Sequence, residues 1–413
     1  MNVLLLTQYF FPEVGATQTR MYEFARALTD AGHDVTVLTE FPNHPIGVIP
    51  PRYAGQWVEH DRGHPFRIVR VRVLASPRKT FRTRLAFYGS FFVMALIVGL
   101  RPWARYDVVI ATSPPLPVAA AGLVLSAVKR AAFVMDVRDL WPKAAQALGE
   151  LSNPWLYRWA EALERRLYRG ADRITATTRS FCRYIADLGI PPAKVIHVPN
   201  GTLEDVFSPE RGDAGLRQRL GLEGKLVVVY AGLHGIAQGL EMVLEAAQRL
   251  RADDEIEFVF VGEGPRKARL VDMAQTRGLD RVQFHPQVEL EQSAHYLNLA
   301  DVILVPLARD QVFDMFVPSK LFDGLACGKP VLLSVDGEAR EILEQSGGGL
   351  FVPPGDAQAL ADAIRHLCLH PEIRKEMGER GRRFVAQHYR RSVQARHFAE
   401  VVAAAAGGRG ERR

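Results

Sequence analysis

The sequence predicts an α/β protein built as two Rossmann-like, doubly wound domains facing across a cleft. Three observations predict it. Apolar runs alternate with amphipathic helical patterns; the alternation breaks in a polar stretch at about 207–225 and then restarts; and 413 residues are too many for one ordinary core.

In the first half, "NVLLLTQYF" (2–10) reads as a buried strand, "TRMYEFARALTDAG" (19–32) as an amphipathic helix stopping at Gly32, and "HDVTVLTEF" (33–41) as the next strand. "FRIVRVRV" (66–73), "YDVVIATS" (106–113) and "AAFVMDV" (131–137) follow as strands, with "LPVAAAGLVLSAVKR" a helix between the last two. "NPWLYRWAEALERRLYRGAD" (153–172) is a helix, and "RITATT" and "VIHVPNG" are short strands. Strand, helix, strand at this spacing implies parallel βαβ units.

The second half repeats the grammar. Its strands are "LVVVYAG" (226–232), "IEFVFVGEG" (256–264), "VQFHPQV" (282–288), "DVILVPL" (301–307) and "PVLLSV" (330–335), with helices between, one near 319–327. "SVQARHFAEVVAAAA" (392–406) reads as a last helix that can cross back to the first domain, and "GGRGERR" as a disordered tail. The expected division is 1–206, 207–390 and 391–413.

Composition narrows the function. Hydrophobic residues at 48% with 24% charged residues describe a globular chain. Cys182, Cys327 and Cys368 are scattered and form no CxxC pair, so neither a zinc site nor a disulfide framework is suggested and a reducing cytoplasm fits. The net charge of +6 is compatible with nucleic acid, an anionic membrane or phosphorylated substrates, and its distribution is more telling. Arg62, Arg67, Arg70, Arg72, Arg78, Lys79, Arg82, Arg84, Arg101 and Arg105 fall in a window from Arg62 to Tyr106 that has no acid. Inside it, "LAFYGSFFVMALIVGL" (85–100) is uncharged. A helix of that length reaches about 24 Å, short of a bilayer core of about 30 Å. A span would also separate "MNVLLLTQYF" from "YDVVIATSPP", which read as strands of one sheet. Two readings stay open: a buried core helix, or a segment near 78–105 that dips into one leaflet with arginines on anionic headgroups.

Ligands of open α/β sheets gather at the carboxyl ends of strands, and four such loops stand out. In "FPEVGATQTR" (11–20), Gly15 permits close approach and Thr17 or Thr19 can cap the helix; the loop is not GxGxxG, which argues against a dinucleotide enzyme. In "YAGLHGIAQGL" (230–240), Gly232, Gly235 and Gly239 leave room for a phosphate near a helix start, and Gln238 offers an uncharged hydrogen bond. In "VPSKLFDGLACGKPV" (317–331), Pro318 suits the first helical position and Ser319 and Lys320 the first turn. A lysine there reinforces the helix dipole, which makes an anion site, plausible for a diphosphate. Asp323 shares the face of Ser319 and Lys320, where a carboxylate can hold ribose hydroxyls; the bland alternative is a surface Lys–Asp pair. In "MDVRDLWPKAAQALG" (135–149), Asp136, Arg138 and Asp139 crowd a strand end. A carboxylate there can orient or deprotonate an acceptor hydroxyl and an arginine can hold a phosphate, although Asp139 also suits a helix start.

Taken together, "QYFFPEVGATQTRMYEFARAL", "GHDVTVLTEFPNHPIG", "IATSPPLPV", "VRDLWPKAAQALG", "VPNGT", "GLHGIAQGL" and "VPSKLFDGLACGKPV" resemble family 4 glycosyltransferases of the GT-B fold over essentially the full length. The resemblance is nearest to the WbuB-like group associated with N-acetyl-fucosamine transfer. It implies a retaining hexosyltransferase, with N-acetyl-aminodeoxyhexosyl among the candidate groups. The donor would be a nucleoside diphosphate sugar, UDP-linked by expectation, held by the C-terminal domain. The acceptor would be a polyprenyl-diphosphate-linked saccharide held by the N-terminal domain. Surface polysaccharide synthesis (O-antigen, capsule or exopolysaccharide) would then proceed from the cytoplasm, peripheral to the inner face of the plasma membrane, with no nucleic acid partner and no metal or other cofactor.

Carried onto this chain, the resemblance implies donor binding by Gly15, Thr17, Gly232, Gln238, Glu263, Arg309, Ser319, Lys320 and Asp323. Lys320, Asp139 and Arg138 would be the catalytic groups. Departures matter. Relatives carry Gly-Arg and a Lys-Gly where this chain has Leu233 and Gln238, so two diphosphate charges are missing and Lys320 gains weight, with Arg309 as a helper. Relatives also carry two glutamates where this chain has Met315 and Asp323, leaving Asp314 or Asp310 to substitute for the first. Arg138 stands where a histidine is frequent. The rivals are a nucleotide-sugar epimerase of the same fold and a non-catalytic membrane-peripheral scaffold.

Overall fold

A computed structural model describes all residues except Pro45, Lys79, Trp103, Ser152 and residues 411–413, together with the side chains of Phe81 and Arg409. Lys79, counted above in the basic window, and the last three residues of the expected tail therefore lie outside the described residues. The chain forms two compact units, Met1–Pro199 with the segment from Ser392 onward, and Asn200–Arg391.

The first unit runs β1 (Asn2–Leu6), α1 (Ala16–Asp30), β2 (Asp34–Glu40), β3 (Val58–Asp61), β4 (Arg67–Val71), α2 (Phe81–Gly99), β5 (Val108–Ser113), α3 (Leu116–Lys129), β6 (Ala132–Val137), α4 (Trp141–Ala147), α5 (Pro154–Gly170), β7 (Arg173–Ala176), α6 (Arg179–Asp187) and β8 (Val195–His197). Its sheet order is β3-β4-β2-β1-β5-β6-β7-β8. All pairs are parallel except the edge pair β3·β4, where Val58 faces Val71 and Asp61 faces Ile68. The inner strands are apolar because helices cover both faces of a parallel sheet; β5 and β6 are buried at every position. The sequence pattern missed β3, since "VEHD" is a polar edge strand with no inward alternation to betray it.

The second unit runs α7 (Leu216–Arg219), β9 (Leu226–Ala231), α8 (Glu241–Arg249), β10 (Ile256–Val261), α9 (Lys267–Thr276), β11 (Val282–His285), α10 (Leu290–Leu299), β12 (Val302–Pro306), α11 (Ser319–Ala326), β13 (Val331–Ser334), α12 (Glu338–Ser346), β14 (Gly349–Phe351), α13 (Ala357–Leu369) and α14 (Pro371–His388). Its six parallel strands are ordered β11-β10-β9-β12-β13-β14, and an apolar core lies on each face.

The division falls at Pro199, earlier than the expected 206, because Thr202 pairs with the end of the unit: its N–H donates to the Tyr389 carbonyl at 2.9 Å and its carbonyl accepts from Arg391 N–H at 2.9 Å. The final helix, α15 (Arg391–Gly410), returns to the first unit, where the Phe398 ring stacks on Phe24 at 3.8 Å. It continues through residues 406–410, so that part of the expected disordered tail is helical.

Helix α2 departs from a core helix. Thr80 caps it through Thr83 N–H, and its nineteen residues span about 28 Å. Phe91, Ala95 and Val98 are buried, but Leu85 is 63% exposed, Val93 51% and Ile97 58%. Only 22% of Arg82–Gly99 is buried. β1 and β5, which flank α2 in sequence, are hydrogen-bonded neighbours in one sheet, so the helix cannot cross a bilayer without tearing that sheet.

Candidate functional site

Each unit gathers polar groups at the carboxyl ends of its strands. In the second unit the gathering starts from β9 and β10. Gly232, with φ 144, follows β9, and its N–H donates to Val261 O; two residues on, His234 N–H donates to Glu263 O. These loops press together so tightly that a Cβ at Gly262 would lie 1.9 Å from Gly232 O. Glycine is therefore required there by close approach as well as by backbone angle.

Lys320 enters this corner from the first turn of α11. Its ammonium donates to Tyr230 Oη at 2.9 Å and sits 4.1 Å from the centre of the Tyr230 ring, while Tyr230 O–H donates to Leu233 O at 2.6 Å. A Cβ at Gly232 would lie 2.7 Å from Lys320 Nζ, so glycine also makes room for the lysine. Burial pushes Lys320 down to about 7, with Asp323 pulling the other way. Pro318 is the residue before the helix, one position earlier than expected, and Ser319 opens the helix with no side chain capping its free amides. Those amides and the ammonium are offered to the same place.

Asp323, one turn on, is pushed by burial up to about 7, against the pull of Arg391, the Thr202 hydroxyl and Lys320. Gln238 Oε1 is buried without a hydrogen-bond partner. His234 is fully buried, with both ring nitrogens unpartnered, and is pushed down to about 4 by burial and by Lys267 and Lys320.

Two expected donor residues have other neighbours. The Glu263 carboxylate is taken by Lys267 at 2.6 Å, and Lys267 also donates to Gly262 O and His285 O, so only the Glu263 backbone reaches the corner. Arg309 lines a hollow of about 940 Å³ with Asp310, Asp314 and Asp336, and its stem packs over Gly355. In that hollow Asp310 caps Val312 N–H at 2.8 Å, and burial with Asp336 and Asp310 pushes Asp314 up. Among the described residues no group of three or more His, Cys, Asp or Glu is arranged to hold a metal.

In the first unit the three charged residues at the end of β6 and just after it have different fates. Asp136 is fully buried in a bidentate pair with Arg20, at 2.9 and 3.1 Å, and accepts Thr175 O–H at 2.7 Å. Arg20 also donates to Val198 O and Pro199 O, so the pair ties α1, β6, β7 and the end of β8. Asp136 is thus a structural anchor. Arg138 donates to Thr17 Oγ1 and Pro114 O, and burial pushes it down to about 10. Asp139 keeps a buried Oδ1 with no partner and is pushed by burial up to about 6, with Arg138 opposing. It does not cap α4, which starts two residues later behind Leu140.

Thr17 and Thr19 do not cap α1 either. The helix starts at Ala16 behind Gly15, three residues before the expected start, which leaves Thr17 inside the first turn and free to meet Arg138. Near the ends of β1 and β2 lies an acidic pair that sequence reasoning passed over. Glu13 accepts from Asn43 N–H and His44 N–H at 2.7 Å each, Glu40 accepts from Asn43 Nδ2 at 2.7 Å, and burial pushes both acids up. "TEFPNHPIG" carried the signal, an acid and an asparagine packed into a strand end. A hollow of about 250 Å³ opens beside them, lined by Tyr9, Asn43, Arg78, Arg84, Phe87 and Tyr88.

Both halves of the chain match known families. Residues 15–201 match the glycosyl transferase 4-like domain and residues 214–384 match glycosyl transferases group 1. The chain is 29% identical over 395 residues to WcaI of Escherichia coli K12, a protein named for glycosyl transfer in colanic acid biosynthesis, covering 92% of this chain and 96% of that one. Among solved structures it superposes on sucrose-phosphate synthase from Thermosynechococcus elongatus with a TM-score of 0.78 at 20% identity, covering 98% and 99% of the two chains. It superposes on HepE of Anabaena, solved with UDP-glucose, with a TM-score of 0.74 at 17% identity, covering 98% and 100%.

Proposed function

Because the chain is a glycosyltransferase of the GT-B fold, we propose that its second unit holds a nucleoside diphosphate sugar and that the sugar is passed, with retention, to a lipid-linked saccharide in surface polysaccharide synthesis. One observation carries the reading: a half-buried ammonium with no acid bonded to it, set beside uncapped helix amides and a glycine corner. A site of that kind is short of one thing, an anion of about two charges.

The chemistry follows from the charges. Negative charge grows on the diphosphate as the glycosidic bond breaks, so Lys320 and the α11 amides stabilise the transition state more than the ground state. The diphosphate also restores the proton that burial disfavours on Lys320, which couples binding to protonation. No metal is expected in this scheme. Asp323 is proposed to accept the ribose hydroxyls, Gln238 a phosphate or sugar oxygen, and Asp314 to stand in for the acid missing at Met315.

In the first unit, Asp139 with its unpartnered oxygen is proposed to orient the acceptor hydroxyl, with Arg138 and Thr17 fixing its neighbourhood. The hollow lined by Tyr9 and Tyr88 is the proposed entry of the acceptor saccharide. It adjoins the amino end of α2, through Phe87 and Arg84, so the exposed apolar face of α2 would rest in the headgroup boundary where a lipid-linked acceptor lives.

The name of WcaI, which belongs to polysaccharide assembly, supports the pathway class, and HepE, solved with UDP-glucose, supports starting with UDP. The resemblance to the WbuB-like group makes an N-acetyl-aminodeoxyhexose the first sugar to try. The test is a panel of UDP-, GDP- and dTDP-sugars screened for thermal stabilisation, then for transfer to a polyprenyl-diphosphate-linked saccharide. Hydrolysis or epimerisation of the donor without transfer to any acceptor would contradict the proposal.

A further inference from the structure

At the other end of α2, away from the strand carboxyl ends, lies a hollow of about 490 Å³ that none of these roles uses. Its wall includes Arg62, Arg67, Arg101, Arg105 and Tyr106, with Asp61 as its one acid. They sit at the amino ends of the strands: Arg67 opens β4, Tyr106 precedes β5 and Asn2 opens β1. About 20 Å of helix separates this place from Arg84 and Phe87 near the first end.

The charge balance is uneven. Among the described residues, Arg62, Arg101 and Arg105 make no ion pair and no side-chain hydrogen bond. Arg67 pairs with Asp34 at 2.7 Å, with both partners more than half exposed, so that pair is worth little. The nearby acids are engaged: Asp61 is held by Arg70 at 2.8 Å and by Gly63 N–H, and Asp107 accepts from Asn2 N–H at 2.7 Å. The carboxyl end of α2 carries partial negative charge and would account for one cation, Arg101. It does not account for Arg62, in the turn between β3 and β4, or for Arg67 at the start of β4. The geometry also fixes the wall, since Lys129 donates to Arg101 O at 2.7 Å and clamps the turn after α2 to the end of α3.

We propose that this hollow is an anion site, separate from the transfer site, that takes a phosphate carried by a lipid headgroup or a soluble phosphate ester. The exposed Ile97 and Leu100 beside it favour a phospholipid. With the acceptor hollow at one end of α2 and a headgroup site at the other, the helix would lie along the membrane surface with both ends pinned, instead of pivoting about one end. The anion site stands by itself; its lipid source rests on the membrane reading given above.

The test uses the full chain, vesicles of phosphatidylcholine alone or with phosphatidylglycerol, soluble glycerol 1-phosphate, and the variants Arg101→Gln/Arg105→Gln and Arg101→Lys/Arg105→Lys. At about fivefold per arginine near an anionic surface, the glutamine pair should weaken binding to phosphatidylglycerol vesicles by about tenfold or more. It should leave thermal stability and donor-dependent transfer to a water-soluble acceptor unchanged, and the lysine pair should restore most of the loss. Saturable binding of glycerol 1-phosphate that the glutamine pair abolishes, with no vesicle binding by the parent, would keep the anion site while removing its lipid source and the membrane reading. Equal affinity of parent and glutamine pair for every phosphate probe would overturn the site.

Discussion

Lys320 and Tyr230, ninety positions apart, meet so that the ammonium touches both the hydroxyl, at 2.9 Å, and the ring face, at 4.1 Å to its centre. The ring gives a cation a weak partner when no anion is bound, and the hydroxyl is already committed to Leu233 O. The ammonium is thus held in place without being neutralised, which is the condition a diphosphate site needs before its ligand arrives.

Lys320→Met should therefore separate activity from stability. Removing the cation that faces the negative charge developing on the diphosphate is expected to lower turnover by about a hundredfold or more. Stability should hold or rise, because the folded chain disfavours the buried ammonium and Tyr230 keeps its bond to Leu233. Steady-state kinetics beside thermal unfolding check this; parallel losses would make Lys320 a structural residue.

The affinity for a nucleoside diphosphate should be bell-shaped in pH and centred near 7. Lys320, lowered to about 7 from its usual 10.5, loses its proton above that value, so the alkaline limb falls. Asp323, raised to about 7 from 3.8, gains one below it, so the acid limb falls where a ribose needs the carboxylate. The stability of the unliganded chain has the opposite signs. Lys320 makes it rise between about 7 and 10.5, where the unfolded chain holds more protons, and Asp323 makes it fall between 3.8 and about 7, where the folded chain holds more. Lys320→Met should flatten the alkaline limb of binding and Asp323→Asn the acid limb; a profile unmoved by either change would refute both assignments.

Asp136 and Asp139 stand three positions apart and should fail differently. Asp136→Ala strands the buried Arg20 guanidinium and should cost about 3–5 kcal/mol of stability by denaturant unfolding. Asp139→Asn removes one of the two acids that support buried Arg138 but also relieves a carboxyl pushed up to about 6, so stability should fall less than in Asp136→Ala while transfer to acceptor falls by about a hundredfold and donor affinity stays put. Equal transfer by Asp139→Asn and parent would remove Asp139 from the chemistry.

These contrasts show how much the sequence disclosed. Lys320, Ser319 and Asp323 were legible because residues three and four apart on a helix share a face, and both Rossmann-like sheets were legible because parallel strands are apolar runs. Tyr230 was not, since its ring reaches Lys320 across a turn of the sheet that no local period reports. Arg20 was hidden likewise, 116 positions from Asp136, which left Asp136 looking like a site residue. Thr17 was misread as a cap because a glycine, not a side chain, opens α1.

The face of α2 gives a membrane prediction of its own. Leu85→Ser, Val93→Ser and Ile97→Ser together replace exposed side chains, so the fold should stay intact while flotation with anionic vesicles drops by about tenfold or more. Unchanged flotation of the folded triple variant would move the membrane contact away from α2.

The central claim, that Lys320 and the start of α11 hold a nucleoside diphosphate, is tested most directly by calorimetric titration of UDP, GDP and dTDP at pH 8 in buffers of different ionisation enthalpy. The account predicts saturable binding of at least one of them with net proton uptake by the protein, and a loss of about tenfold or more in affinity with disappearance of the uptake in Lys320→Met. Binding of equal strength and equal proton balance in parent and variant, or no binding of any of the three, would contradict it.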